Sequence, residues 1–81
     1  MIAKSNDSLL SLLIAEDKAL AKEEIYGEMI VEYREMAEAT DNQILKENYI
    51  KEIEEYISRR DDAIKEVLDA RENIKKYFSN I

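Results

Sequence analysis

From Tyr49 to Ile81 the hydrophobic side chains keep to three positions of a seven-residue frame. One column holds Tyr49, Tyr56, Ala63, Ala70 and Tyr77; a second Ile50, Ile57, Ile64, Arg71 and Phe78; a third Ile53, Arg60, Val67, Ile74 and Ile81. Thirteen of these fifteen side chains are hydrophobic, while of the eighteen others in the same stretch only Leu68 is. A separation that clean admits one structure, a long amphipathic helix with a coiled-coil-like face.

The sequence also marks where this helix starts. Thr40 and Gln43 match a T-x-x-Q capping box, with Ala39 and Ile44 placed as its hydrophobic staple. Asp41 stands at the positive end of the helix dipole, and Lys75 and Lys76 at the negative end. Glu47–Lys51, Glu55–Arg59, Asp61–Lys65 and Glu72–Lys76 run acid to base at i,i+4, each adding about 0.2–0.5 kcal/mol. The expected helix covers 41–78, roughly 55 Å at 1.5 Å per residue.

A second helix precedes it, expected over 17–38. Tyr26, Met29, Ile30, Tyr33, Met36 and Ala37 follow helical spacing and lead back through Ala19 to Ala15. So short a connection makes the two helices antiparallel neighbours. Gly27 lies inside this helix, where glycine costs about 1 kcal/mol relative to alanine, and a bend or a close contact is expected there. Further upstream, Leu9, Leu10, Leu12, Leu13 and Ile14 are apolar nearly all round. The favoured expectation is a separate short helix over 7–15, capped by Ser5 or Asp7, with a break near Glu16 and Asp17 where the apolar phase shifts; the alternative is that it continues straight into the next helix. Such a turn needs cover. It can close its own hairpin as a third helix, pack on a second copy in a four- or six-helix bundle, or dock in a foreign groove. The fold class expected is therefore all-α: an antiparallel helical hairpin with a short N-terminal helix, assembling as a dimeric helical bundle.

Composition narrows the function. There is no proline and one glycine, against the turns a β fold needs. A hydrophobic content of 46% is too high for intrinsic disorder. With no cysteine and no histidine, disulfides and thiolate or imidazole metal sites are excluded and carboxylates are the remaining ligands. At 81 residues a single core nets only about 3–5 kcal/mol, so oligomerisation is an expected support. The net charge of −7 opposes direct contact with nucleic-acid phosphates or anionic membranes. No apolar run approaches the roughly 20 residues of a membrane span. Leu9–Ala15, with a single Lys4 before it and no small-residue cleavage site after it, does not read as a secretory leader. A cytoplasmic location is the default expectation.

No catalytic residue, cofactor site or metal site is expected. The run Arg59-Arg60-Asp61-Asp62 with Glu66 can be drawn as a carboxylate cluster, but adjacent helical residues point in different directions. Two features remain as candidates for binding. Glu24, Glu28, Glu32 and Glu35 form an acidic ridge, expected on the side of their helix opposite its apolar stripe. Residues 23–38 hold six glutamates and one arginine, and like charges at i,i+4 destabilise a helix. The ridge is read as a solubilising face or as a surface for a basic protein partner, including as a mimic of nucleic-acid phosphate. Arg60 and Arg71 interrupt the apolar stripe; if buried, they need glutamates from the facing helix or another protomer, an arrangement that can set register or oligomer state. Together with Leu9, Leu10, Leu13 and Ile14 they are the candidates for self-association. Tyr26, Tyr33, Tyr49, Tyr56 and Tyr77 suit stripe margins, where the ring is buried and the hydroxyl stays wet.

The segments Tyr33-Arg34-Glu35-Met36 and Tyr49–Ile64 resemble the helical repeat of small flagellar export chaperones, in a basic residue after an apolar pair followed by an acidic and apolar turn. The resemblance spans about 35 residues and implies a helical protein that shields an exported partner; no functional residue is transferred on it. In composition alone the chain is also similar to small acidic phage-encoded inhibitors of host machinery. The leading expectation is a non-enzymatic regulator, inhibitor or adaptor that binds another protein and acts as a homodimer or higher homo-oligomer. The alternatives are an acidic decoy for a DNA- or RNA-binding protein and an export-type chaperone.

Overall fold

A computed structural model describes the backbone of residues 2–80 and the side chains of residues 8–80. It consists of two helices, α1 (Ile2–Ala39) and α2 (Gln43–Ser79), packed against each other as an antiparallel hairpin 62 Å long and 16 × 12 Å in section. Neither helix is long and apolar enough to cross a membrane.

The all-helical hairpin follows the sequence expectation, but the N-terminal segment does not. Among the described residues no third helix forms. α1 runs unbroken through Glu16 and Asp17, joining the expected 7–15 and 17–38 helices into one. Nothing in this stretch can stop a helix, since it holds neither proline nor glycine before Gly27. The period also continues through charged positions: Leu12, Glu16, Ala19, Glu23, Tyr26, Ile30, Tyr33 and Ala37 are spaced alternately by four and three residues, and all are buried or half-buried. The expected cap at Ser5 or Asp7 lies outside the described side chains.

The turn is also built differently from the expected capping box. Asn42, not Thr40, is the N-cap of α2. Its Oδ1 accepts from the backbone N–H groups of Ile44 (3.0 Å) and Leu45 (3.2 Å), and its carbonyl accepts from the Lys46 N–H at 3.0 Å. Asparagine outranks threonine as a cap. Thr40 instead accepts from the Asn42 N–H at 3.1 Å, pinning the turn, and Gln43 donates forward to Glu47 at 3.3 Å. At the other end the Asn80 N–H donates to the Lys76 carbonyl at 3.1 Å.

The seam between the helices is made of small residues and tyrosine rings. Ala19, Ile30, Ala37, Ala63, Val67 and Ala70 form the buried core. Alanine at these positions lets the backbones approach. In the half nearest the turn, where the seam is wider, the rings interdigitate. Tyr26 and Tyr56 have centroids 6.0 Å apart, Tyr56 and Tyr33 5.7 Å, and Tyr33 and Tyr49 6.0 Å. All four are half-buried, as expected of stripe margins. Burial first, and then the neighbouring Tyr56 and Glu52, raise the Tyr33 hydroxyl above the usual tyrosine range.

Candidate functional site: an acid-walled apolar face

The two long faces of the hairpin differ in chemistry. On one, Lys22 of α1 donates to Glu66 of α2 at 3.2 Å, Arg59 pairs with Glu55 and lies 5.3 Å from the Tyr56 ring centroid. Among the described residues Glu55–Arg59 is the one i,i+4 pair of the four expected that closes within 4 Å. These contacts are solvated and add little stability.

The opposite face is apolar. Leu20, Gly27 and Val31 of α1 form the floor of an open groove of about 880 Å³, whose walls are Glu23, Glu24, Glu28, Glu32 and Glu35 on one side and Arg60 on the other. Ile57 and Ile64 stand three and four residues either side of Arg60, so helical spacing puts them on the same face of α2. Ile50 and Leu68 extend that row, and Leu10 and Leu13 extend the face along α1. Leu10, Leu13, Val31, Ile50, Ile57, Leu68 and Phe78 are all more than a third exposed. A monomer of 9.5 kDa is expected to expose roughly 5,050 Å²; this hairpin exposes 6283 Å², an excess of about 1,200 Å².

Each expected site residue can now be placed. Glu24, Glu28, Glu32 and Glu35 do come together, but not on a purely polar side. They wall the groove, beside an apolar row the sequence reading overlooked. The signal was present as Leu13, Leu20 and Gly27 at intervals of seven, with Val31 one turn on. Of the N-terminal cluster, Leu9 and Leu12 are half-buried against α2, while Leu10, Leu13 and Ile14 are exposed. Arg60 and Arg71 are both exposed rather than buried. Arg71 finds its carboxylate on the facing helix, donating from Nε to Glu16 Oε2 at 2.9 Å. Arg60 makes no ion pair within 4 Å among the described residues. Its guanidinium crosses over Gly27, with Nε 3.8 Å and Cζ 3.9 Å from where a Cβ would stand. Ile14, Ile25 and Met36, eleven residues apart on α1, are also exposed; Ile14 shares the heptad column of Glu28 and Glu35, and Ile25 that of Glu32.

The close contact at Gly27 is thus with the Arg60 side chain of the facing helix, and its φ is not positive. The added methyl of Gly27→Ala meets Arg60 at ordinary van der Waals distance. The substitution is expected to stabilise the hairpin by about 0.5–1 kcal/mol, through the helix preference for alanine. A thermal melt followed by circular dichroism should show a rise of several degrees; a fall would mean that the groove floor is tighter than these distances indicate.

Comparison with known proteins returns no match to a family model, a curated protein or a solved structure.

Proposed function

We propose that this chain is a non-enzymatic protein-binding module, a regulator, inhibitor or adaptor, that works as half of a larger helical bundle. One observation carries this reading: both helices present an apolar row on the same face, and the hairpin covers only the other side of each. The hairpin as a whole exposes about 1,200 Å² more than a compact monomer of its mass, more than the roughly 800 Å² per partner that a standard interface takes. A core whose largest members are Ile30 and Val67 also gives a small chain little stability of its own. Sedimentation equilibrium at micromolar concentration is expected to show twice the 9.5 kDa protomer mass. A stable, fully helical monomer at all concentrations would sink the self-association half of the reading.

A second reading, an acidic decoy for a basic protein, is favoured by the glutamates that wall the groove. Their local charge is uncompensated on α1, although α2 shows that the chain can interleave charges. Here the chain should bind a lysine-rich amphipathic peptide in a salt-sensitive manner. Reversing Glu28 and Glu32 to lysine should remove that binding and leave helicity intact. Undiminished binding by the double variant would reject the decoy.

A further inference from the structure

Resting on that bundle reading, we infer that the occupant of the apolar face is a second copy of this chain, related by a twofold axis parallel to the helices. In that arrangement α1 of each protomer packs beside α2 of the other, with both turns at the same end of the bundle. The inference follows from how charge and apolar side chains are distributed along the face.

Two twofold axes can bring the apolar faces together. One runs along the helices, the other across them. In the hairpin itself, Gly27 lies level with Arg60, Glu16 with Arg71 and Lys22 with Glu66. An axis along the helices keeps this register between protomers. The acid wall around Glu24 and Glu28 then faces the stretch of the partner's α2 near Arg60, which makes no ion pair within 4 Å among the described residues. The exposed Leu10 and Leu13 face the Leu68 end of the partner's α2, apolar against apolar.

An axis across the helices sets α1 antiparallel to its own copy. With that axis crossing α1 (Ile2–Ala39) at its midpoint, Glu28 falls opposite the partner copy of Leu13, and Glu32 opposite that of Leu9. Carboxylates would be pressed onto leucines with no cation in reach, which costs their solvation without return. The leucines would also lose their apolar partners. Arg60 itself lies across Gly27 on the groove floor, central to the contact.

The turn reports the arrangement directly. Asp41 is exposed at the turn, so a nitroxide carried on Asp41→Cys leaves both helices intact. With the axis along the helices, the two labels should lie roughly 20 Å apart, about two interhelical spacings of 8–10 Å. With the axis across them, the labels should sit at opposite ends of the 62 Å hairpin. Pulsed electron–electron spin resonance on the full chain, paired with sedimentation of the same sample, separates three outcomes. A dimer with the short distance supports the inference. A dimer with a distance near 60 Å overturns it while leaving the bundle reading in place. A monomer overturns both.

Discussion

Ala63→Glu is expected to unfold the hairpin. Ala63 is 1% exposed, the most buried side chain among the described residues, and lies in the seam between Tyr56 and Ala70, with Lys22 and Tyr26 of α1 close by. No space exists there for a longer side chain without pushing the helices apart, and overpacking alone costs about 1–3 kcal/mol. A carboxylate adds a desolvation penalty of several kcal/mol when no cation can reach it squarely. The nearest candidate, Lys22, is already committed to Glu66. Against a stability of only about 3–5 kcal/mol for a core this small, the sum exceeds what the fold can absorb. Ellipticity at 222 nm should fall to that of a largely unfolded chain at 25 °C. Ala21→Glu, on an exposed position of the same heptad region, should leave the signal unchanged. Retained helicity in Ala63→Glu would mean that the seam opens more easily than its alanine packing implies.

The hairpin itself was legible before any coordinates. The stripe from Tyr49 onward and the short connection after Ala39 suffice for two antiparallel helices, because an apolar stripe three turns or longer cannot stay in water. What could not be read was how the stripe is divided. Three columns of seven positions make an apolar arc wider than one helix can cover. The structure gives the Tyr49–Tyr77 column to the seam and leaves Ile50, Ile57 and Leu68 outside. Hydrophobicity alone does not say which column wins. At Ala63 and Ala70 the small side chain allows close approach, which isoleucine at those two positions would prevent, while Tyr49 and Tyr56 in the same column pack on the rings of Tyr26 and Tyr33.

The continuity of α1 was hidden for a different reason. A search for apolar periodicity loses the thread at Glu16 and Glu23, which look like solvent positions. Both are half-buried in the seam register, and Glu16 is tolerated because Arg71 reaches it from α2. A cross-helix ion pair replaces an apolar contact, and the two halves of that pair stand 55 residues apart. Local pattern reading cannot join them. The same blindness placed Arg60 and Arg71 in a buried stripe and the acidic ridge on a plain polar face. Once the seam is fixed, the arginines sit at the margin of the apolar face and the glutamates form its wall. Thr40 lost its capping role to Asn42 for a more local reason, the stronger acceptor lying two residues further along.

Replacing Ile57 and Ile64 together by lysine is expected to abolish self-association. Ile57 is 39% exposed and Ile64 half-buried in the isolated hairpin, so neither is required for the seam, yet both lie on the uncovered face beside Arg60. In a twofold dimer each substitution acts twice. Losing burial of the exposed third of four isoleucines, about 0.5–1 kcal/mol each, removes about 2–4 kcal/mol, a weakening of roughly 30- to 10³-fold in Kd. The double variant should sediment as a monomer, and its melting temperature, concentration-dependent in the parent, should lose that dependence. Part of the helicity should go with it, since the remaining seam is mostly alanine. Met36→Lys provides the contrast. Met36 is as exposed, at 40%, but stands in the heptad column of Lys22, on the face that carries the Lys22–Glu66 pair, where the second copy does not reach. An equal loss of association from Met36→Lys would move the interface to that face and away from the acid-walled groove. Dimers that persist in Ile57→Lys/Ile64→Lys would remove the face from the interface altogether.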